Sequence, residues 1–216
     1  MMIPARFHGP PASGNGGWSA GAFAVACGAG ADGRAFQVTL RVPPPLDTPL
    51  TVAAGRVLDP AGTLVAEVEP DADAGPGVPI ADPADAQPYP GLAEHPFPTC
   101  YVCGPGHPDG LRIFPGPLPD GRLAAAWTVP ADVSVETVWA ALDCPGGWSA
   151  LQSRRVFLLG RIAAAVDALP APGERCVVVA APVAAEGRKA LVDTAVYGAN
   201  GTPLARARAT WVALNR

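Results

Sequence analysis

Charge is scarce in this chain of 216 residues. Asp, Glu, Lys and Arg together make up 16% of it, against roughly a quarter in an average soluble protein. Fifteen basic residues face nineteen acidic ones, for a net charge of −4, and the pI is about 5.3. The basic residues form no cluster, which argues against nucleic acid or an anionic membrane surface as a partner. No stretch approaches the roughly 18 uninterrupted apolar residues of a membrane-spanning helix. The opening residues, MMIPARFHGPPASGNGG, hold no apolar run of signal-peptide length,. Cysteine is sparse as well: there are five, an odd number, and only Cys100 and Cys103 lie close together. That pattern fits free thiols in a reducing compartment better than a disulfide framework, so a cytoplasmic location is expected. Low charge beside 49% hydrophobic residues excludes a coiled coil and a charge-driven disordered chain,. A chain of this length can bury roughly 70% of its unfolded surface without staples. The class that remains is a protein of small-molecule chemistry.

What the chain has in abundance is glycine (25) and proline (27), unevenly spread. Residues 70–98 read PDADAGPGVPIADPADAQPYPGLAEHPFP, with neither a helical nor a strand period. Proline removes backbone donors and disfavours helix in the residue before it. We therefore read residues 71–98 as a linker between an N-terminal repeat, 1–70, and a C-terminal repeat, 99–216. Asp71, Asp73 and Gly75 resemble a calcium loop in spacing. The glycine required at the sixth position is missing, and solvated linker acids are the reading adopted.

The flanking halves are similar in plan. In the first, a helix is expected from about Asn15 to Cys27, with Asn15 as its N-cap. Strands are expected at 36–42, 50–58 and 63–69, with Asp59-Pro-Ala-Gly62 as a turn. In the second, residues 111–114 and 122–129 flank a Leu118-Pro-Asp-Gly121 turn, and a helix covers 135 to about 151. Strands follow at 156–166, 175–183, 189–197 and 204–214, with a turn signal at Ala199-Asn-Gly201. Val135, Val138, Trp139 and Leu142 recur at helical spacing and predict one apolar stripe. Asp143 sits at the edge of that stripe, and Pro145 should kink or loosen the helix just after it. The string GGWSA occurs at 16–20 and 146–150, an offset of 130, whereas strand landmarks give offsets of 121 to 125. The strand register is preferred, since five small residues recur easily in such a composition. No repeat of 20 to 50 residues is present.

Two motifs carry a family resemblance: Gly14-Asn-Gly-Gly-Trp-Ser-Ala-Gly21 in the first half and Trp139-Ala-Ala-Leu-Asp-Cys-Pro-Gly-Gly-Trp148 in the second. The first resembles the Gly-Gly helix start of hotdog acyl-CoA thioesterases, and the second the Leu-Asp helix motif of the acyl-CoA thioesterase II type. Cys100-Tyr-Val-Cys-Gly104 with Gly110-Leu-Arg112 is similar to a lead-in of single-hotdog thioesterase-like proteins. The resemblance implies an α+β double hotdog, two helix-plus-antiparallel-sheet repeats joined as a pseudo-dimer, with its site between the repeats. It implies Asp143 as general base or nucleophile, Gly17 with Gly16 as oxyanion donor, and Asn15 as a positioning residue. The substrate implied is the thioester of a small or medium acyl group, with coenzyme A as part of the substrate and no separate cofactor. Two such units could pair as a homodimer.

The helix N-terminus suits an oxyanion because it offers unpaired N–H groups, and glycine admits a close approach. The position matching Asp143 in the first half is Ala24, and the second helix starts at Ser134-Val-Glu136 without the glycine pair. One complete site and one vestigial one are expected. The Thr and Gln that accompany the family's Asp would fall near Val183 and Ala209, neither of which can hold a water. A non-catalytic acyl or acyl-CoA binding protein is therefore the competing reading, and a structural hotdog partner a third. Arg188, Lys189 and Trp148 are candidate substrate-binding residues, while Arg206 and Arg208 are read as a solvated face. His95, Cys100, Cys103 and His107 form H-x4-C-x2-C-x3-H, whose spacing is unusual for zinc, and no metal is expected. No histidine follows His107 and no Gly-x-Ser-x-Gly elbow occurs, which leaves a serine or cysteine triad without support. A hotdog dehydratase is disfavoured because the second helix offers no histidine to pair with Asp143.

Overall fold

Asn15 caps the first helix as its chemistry suggests: its side chain accepts a hydrogen bond from the Trp18 N–H, and helix α1 runs Gly16–Ala26,. A computed structural model describes residues 1–151 and 155–214 of the chain. After α1 come strands β1 (Ala35–Leu40), β2 (Thr51–Ala53), β3 (Arg56–Leu58) and β4 (Leu64–Pro70). The second half begins with a short hairpin, β5 (Gly116–Pro117) and β6 (Leu123–Thr128). Helix α2 (Val135–Ala150) is followed by β7 (Phe157–Val166), β8 (Arg175–Glu186), β9 (Lys189–Tyr197) and β10 (Pro203–Ala213). Ser134 and Thr137 close the start of α2 with a reciprocal capping box,. The helix continues through Pro145 to Ala150.

All ten strands join one antiparallel sheet in the order β2-β3-β4-β1-β7-β10-β9-β8-β6-β5. The halves meet where β1 pairs with β7, Val38 opposite Ile162. The expected α+β architecture, a helix and an antiparallel sheet occurring twice, is thus present. Both helices pack on one face of the sheet, and a single hydrophobic core runs through both halves, from Phe23 and Val38 to Trp139 and Val192.

Four local expectations need correction. The strand expected over 50–58 is a tight hairpin, because Ala54 and Gly55 both adopt positive φ (49° and 73°) and reverse the chain. Residues 111–114 form no strand; Leu111 and Ile113 donate instead to the carbonyls of Tyr101 and Val102. Helix α2 has more than one apolar stripe: every residue from Thr137 to Gly147 is buried, because the sheet covers one side and α1 the other,. Arg206 and Arg208 are not merely solvated. Arg206 pairs with Asp167, and Arg208 makes a bidentate ion pair with the buried Asp193 at 2.7 and 2.8 Å. Asp73, one of the acids of the calcium-like spacing, reaches the same guanidinium, while Asp71 pairs with Arg34.

The Pro-rich segment supplies that Asp73. Val78 packs on Val179 and Ala195, the residues of β8 and β9 that face away from the helices,. The Tyr197 hydroxyl donates to the Val78 carbonyl. Further on, the Gln87 N–H donates to the Pro117 carbonyl at the sheet edge, and Tyr89 is buried against Trp148 on the helix side. Residues 71–98 therefore wrap from one face of the sheet, around the β5 edge, to the other.

The two GGWSA strings occupy unrelated places, the N-terminus of α1 and the C-terminal half of α2, so the strand register is the structural one. What α1 and α2 do share is a very close crossing. A Cβ on Gly17 would lie 2.3 Å from Asp143 Cβ, and one on Gly21 would lie 2.8 Å from Trp139 Cβ and 2.9 Å from Glu136 Cα. Helix propensity alone would make Gly21→Ala stabilising by about 1 kcal/mol. The crossing reverses the sign: overpacking should leave the variant less stable by about 1–3 kcal/mol in urea denaturation. A more stable variant would show that the helices do not meet this closely.

Candidate active site

The crossing places the side chain of Asp143 against the first turn of α1. Its Oδ2 accepts two hydrogen bonds, from the Gly17 N–H at 2.9 Å and from Asn15 Nδ2 at 3.0 Å. Its Oδ1 is buried and has no hydrogen-bond partner among the described residues. Asn15 thus works at both ends of its amide: Oδ1 caps α1 through Trp18 and Nδ2 holds the carboxylate. Behind Asp143, the Thr194 hydroxyl on β9 donates to the Leu142 carbonyl at 2.9 Å and ties this turn of α2 to the sheet. Asp143 is only 2% exposed. Burial pushes its pKa up to about 7; the nearby Cys100 adds to the rise, while the Gly17 N–H and Asn15 oppose it,.

Asp143 lines a cavity of about 480 Å³, within the range of small-molecule sites. Asn15 and Gly16 form the α1 side of it, and Phe97, Trp148, Phe157, Leu159 and Trp211 give it apolar walls. Arg41 and Arg188 line it from exposed positions, so they mark its rim. Arg41 is paired with Glu67, and Arg188 donates through Nε to the Ala213 carbonyl.

Of the residues singled out by sequence, Asn15, Gly16, Asp143, Trp148 and Arg188 come together around this cavity. Gly17 does not line it. Its N–H is taken by Asp143, whereas the Gly16 N–H, at the first helical position, has no intrahelical acceptor,. Lys189 is exposed at the start of β9 and lies outside the lining. Val183 is 48% exposed beside a bulge in β8, and Ala209 is buried on β10; neither lines the cavity. Ala24, expected from sequence to match Asp143 in the first half, is fully buried.

The H-x4-C-x2-C-x3-H residues do not gather. His107 bonds the Arg6 carbonyl at 2.8 Å, away from the cavity, and His95 contacts the Cys103 carbonyl at 3.2 Å. Instead Cys144 of α2 joins Cys100 and Cys103, with the three Sγ atoms all within 4.8 Å of one another. Hydrogen bonds from Cys103 and Cys144 favour the thiolate on Cys100, burial pushes Cys103 up, and hydrogen bonding to Cys100 pushes Cys144 up. Sequence reasoning missed this third thiol, although Cys144 adjoins Asp143. It also missed Thr194, which has no local signal: only the packing of β9 under α2 gives it a role.

No protein-family model and no curated protein sequence matches the chain. Solved structures do match along its whole length. A candidate thioesterase from Novosphingobium aromaticivorans superposes with a TM-score of 0.68 at 13% identity, covering 100% of this chain and 94% of its own. A conserved protein of unknown function with the hotdog fold from Alicyclobacillus acidocaldarius gives 0.63 at 12% identity, covering 100% and 92%. The chain is a double hotdog. A candidate thioesterase II from Thermobifida fusca matches it with a TM-score of 0.61 at 12% identity, over 100% of this chain and 97% of that one. In this double hotdog the candidate groups are unequally divided, with a capped glycine turn on the first helix and the carboxylate on the second.

The buried carboxyl has a consequence for stability. An aspartate in an unfolded chain ionises near a pKa of about 3.9, and the fold raises that of Asp143 to about 7. The folded state therefore binds the extra proton, and stability falls as pH rises from about 4 to about 7. Between pH 5 and pH 8 wild type should lose roughly 2–3 kcal/mol relative to Asp143→Asn, measured by urea denaturation of both. Parallel pH profiles for the two proteins would refute the raised pKa.

Proposed function

We propose that this double hotdog hydrolyses a thioester, with Asp143 as general base and the Gly16 N–H as oxyanion donor. The observation that carries the reading is a buried carboxylate with an unpartnered oxygen, Asp143 Oδ1, on a residue that lines one cavity together with Gly16, whose N–H is the first-turn amide of α1 left without an acceptor. Two of the matching structures bear candidate-thioesterase names, which supports the same chemistry. Oδ2 is held by Gly17 and Asn15, so the carboxylate is fixed in rotation and Oδ1 is the atom left to take a proton. In its ionised form it would draw a proton from water as the oxygen attacks the thioester carbonyl. Charge then develops on the carbonyl oxygen, where the Gly16 N–H and the α1 dipole stabilise it. As the carbon–sulfur bond breaks, the thiolate leaves and the protonated Asp143 returns the proton. The apolar walls suit a small or medium acyl group. Arg188 at the rim suits the phosphates of a coenzyme A thioester,.

This assigns the oxyanion role to Gly16 rather than Gly17. Asp143→Asn should lower kcat for a panel of acyl-CoA thioesters by about 10²–10⁴-fold while the protein stays folded. Undiminished turnover in that variant would end the proposed mechanism.

Gly16 permits a sharper experiment. Proline is tolerated at the first helical position, and Asn15 already has the extended backbone (ψ 132°) that a following proline requires,. Gly16→Pro should remove the N–H with α1 intact and cost about 10²-fold or more in kcat. Gly16→Ala restores the N–H at nearly the same steric load against Leu159 and should retain most activity. Equal losses in both would reduce Gly16 to a packing role.

Among the described residues no Thr or Gln lines the cavity, and this favours a second reading, a non-catalytic acyl-thioester binding protein. Saturable thermal stabilisation by acyl-CoA without turnover in wild type would select it.

A further inference from the structure

Beside the carboxylate, the cavity holds a group of side chains that the hydrolytic reading leaves unused. Cys100 and Cys103 come from one turn, Cys144 comes from α2, and all three line the cavity. We propose that these three thiols form a binding site for a thiophilic divalent ion, zinc, with its fourth coordination position open to the cavity.

The spacing is the first argument. A zinc–sulfur bond of about 2.3 Å in tetrahedral geometry separates neighbouring sulfurs by about 3.8 Å. Cys100 Sγ and Cys144 Sγ are 3.7 Å apart, and all three sulfurs lie within 4.8 Å of one another. A contraction of about 1 Å at the third sulfur closes the site.

The surroundings are the second argument. Asn15 Nδ2 lies 3.8 Å from Cys100 Sγ and 3.7 Å from Cys144 Sγ. Donors arranged around sulfur stabilise a thiolate, the form that binds metal. The turn depends on Gly104: a Cβ there would lie 2.4 Å from the Cys100 nitrogen. This wrapped C-x2-C-G turn, closed by the Gly104 N–H to the Cys100 carbonyl, holds Cys100 and Cys103 side by side against Cys144.

The open position follows from the histidines. His95 is occupied by the Phe97 N–H and the Cys103 carbonyl, and His107 is held elsewhere by the Arg6 carbonyl. A water or an exogenous thiol in the cavity would complete the coordination. Binding releases the thiol protons to solvent, and the resulting net charge of −1 on the zinc–trithiolate unit faces the Asn15 amide and the N-terminus of α1. The site is independent of any thioester chemistry.

The test uses the full chain, reduced with a phosphine and stripped with a chelator, titrated with Co²⁺ and then Zn²⁺. One equivalent of Co²⁺ should produce sulfur-to-metal charge-transfer absorption in the near ultraviolet, which Zn²⁺ abolishes by displacement. Zinc should also raise the melting temperature, because it joins two separate segments. Cys103→Ser and Cys144→Ser should each lose the absorption, while Cys27→Ser and Cys176→Ser, whose thiols lie outside the cluster, should keep it. Absence of the band in wild type, or its persistence in Cys103→Ser, overturns the proposal. Should Cys144→Ser fail to fold, Cys103→Ser decides the matter, its folding checked by circular dichroism. Esterase activity enters none of these readouts.

Discussion

The approach of α1 to α2 governs the site. At Gly17 the two helices are so close that a single methyl would collide with the Asp143 side chain. That intimacy lets a backbone N–H of one repeat bond a carboxylate of the other across 2.9 Å. It also removes Asp143 from water, and burial is the largest contribution to its raised pKa,. Glycine at 17 and 21 is costly to helix propensity; in return the crossing brings together groups 126 residues apart in sequence.

The sheet makes this crossing possible. Its ten strands are continuous through the β1–β7 pair, so the two helices have a common floor and must pack side by side on it. The Thr194 bond to the Leu142 carbonyl then fixes the turn of α2 that carries Asp143. On the opposite face, Asp193 neighbours Thr194 in β9 and pairs with Arg208 beneath residues 73–78. Alternate residues of one strand thus serve the site and the covering segment.

The carboxylate and the three thiols share Asn15. Its single amide caps a helix, holds Oδ2 and approaches two sulfurs. Removing it would disturb helix start, carboxylate orientation and thiol environment together, which is why Gly16 and Cys103 are cleaner places to separate the roles. The asymmetry between repeats follows the same logic. Ala24, the position that the sequence matches to Asp143, is buried, and α2 begins with a serine–threonine capping box rather than a glycine turn.

Local chemistry in the sequence determined much of this. Asn15 before a glycine pair marked the start of α1, Ser134 the start of α2, and alternating Val, Ala and Leu runs marked the long strands β7 to β10. The family resemblance also implied that Asp143 faces the first helix, and the bond from the Gly17 N–H brings the two together. Only tertiary structure decided which glycine N–H is spent on the carboxylate and which is left free, since neighbouring amides differ only in what faces them. Tertiary structure alone also recruited Cys144 in place of two histidines, and turned residues 71–98 into a wrapping segment. Those outcomes depend on contacts between residues far apart in the chain, and such contacts leave no periodicity or spacing for a sequence to display.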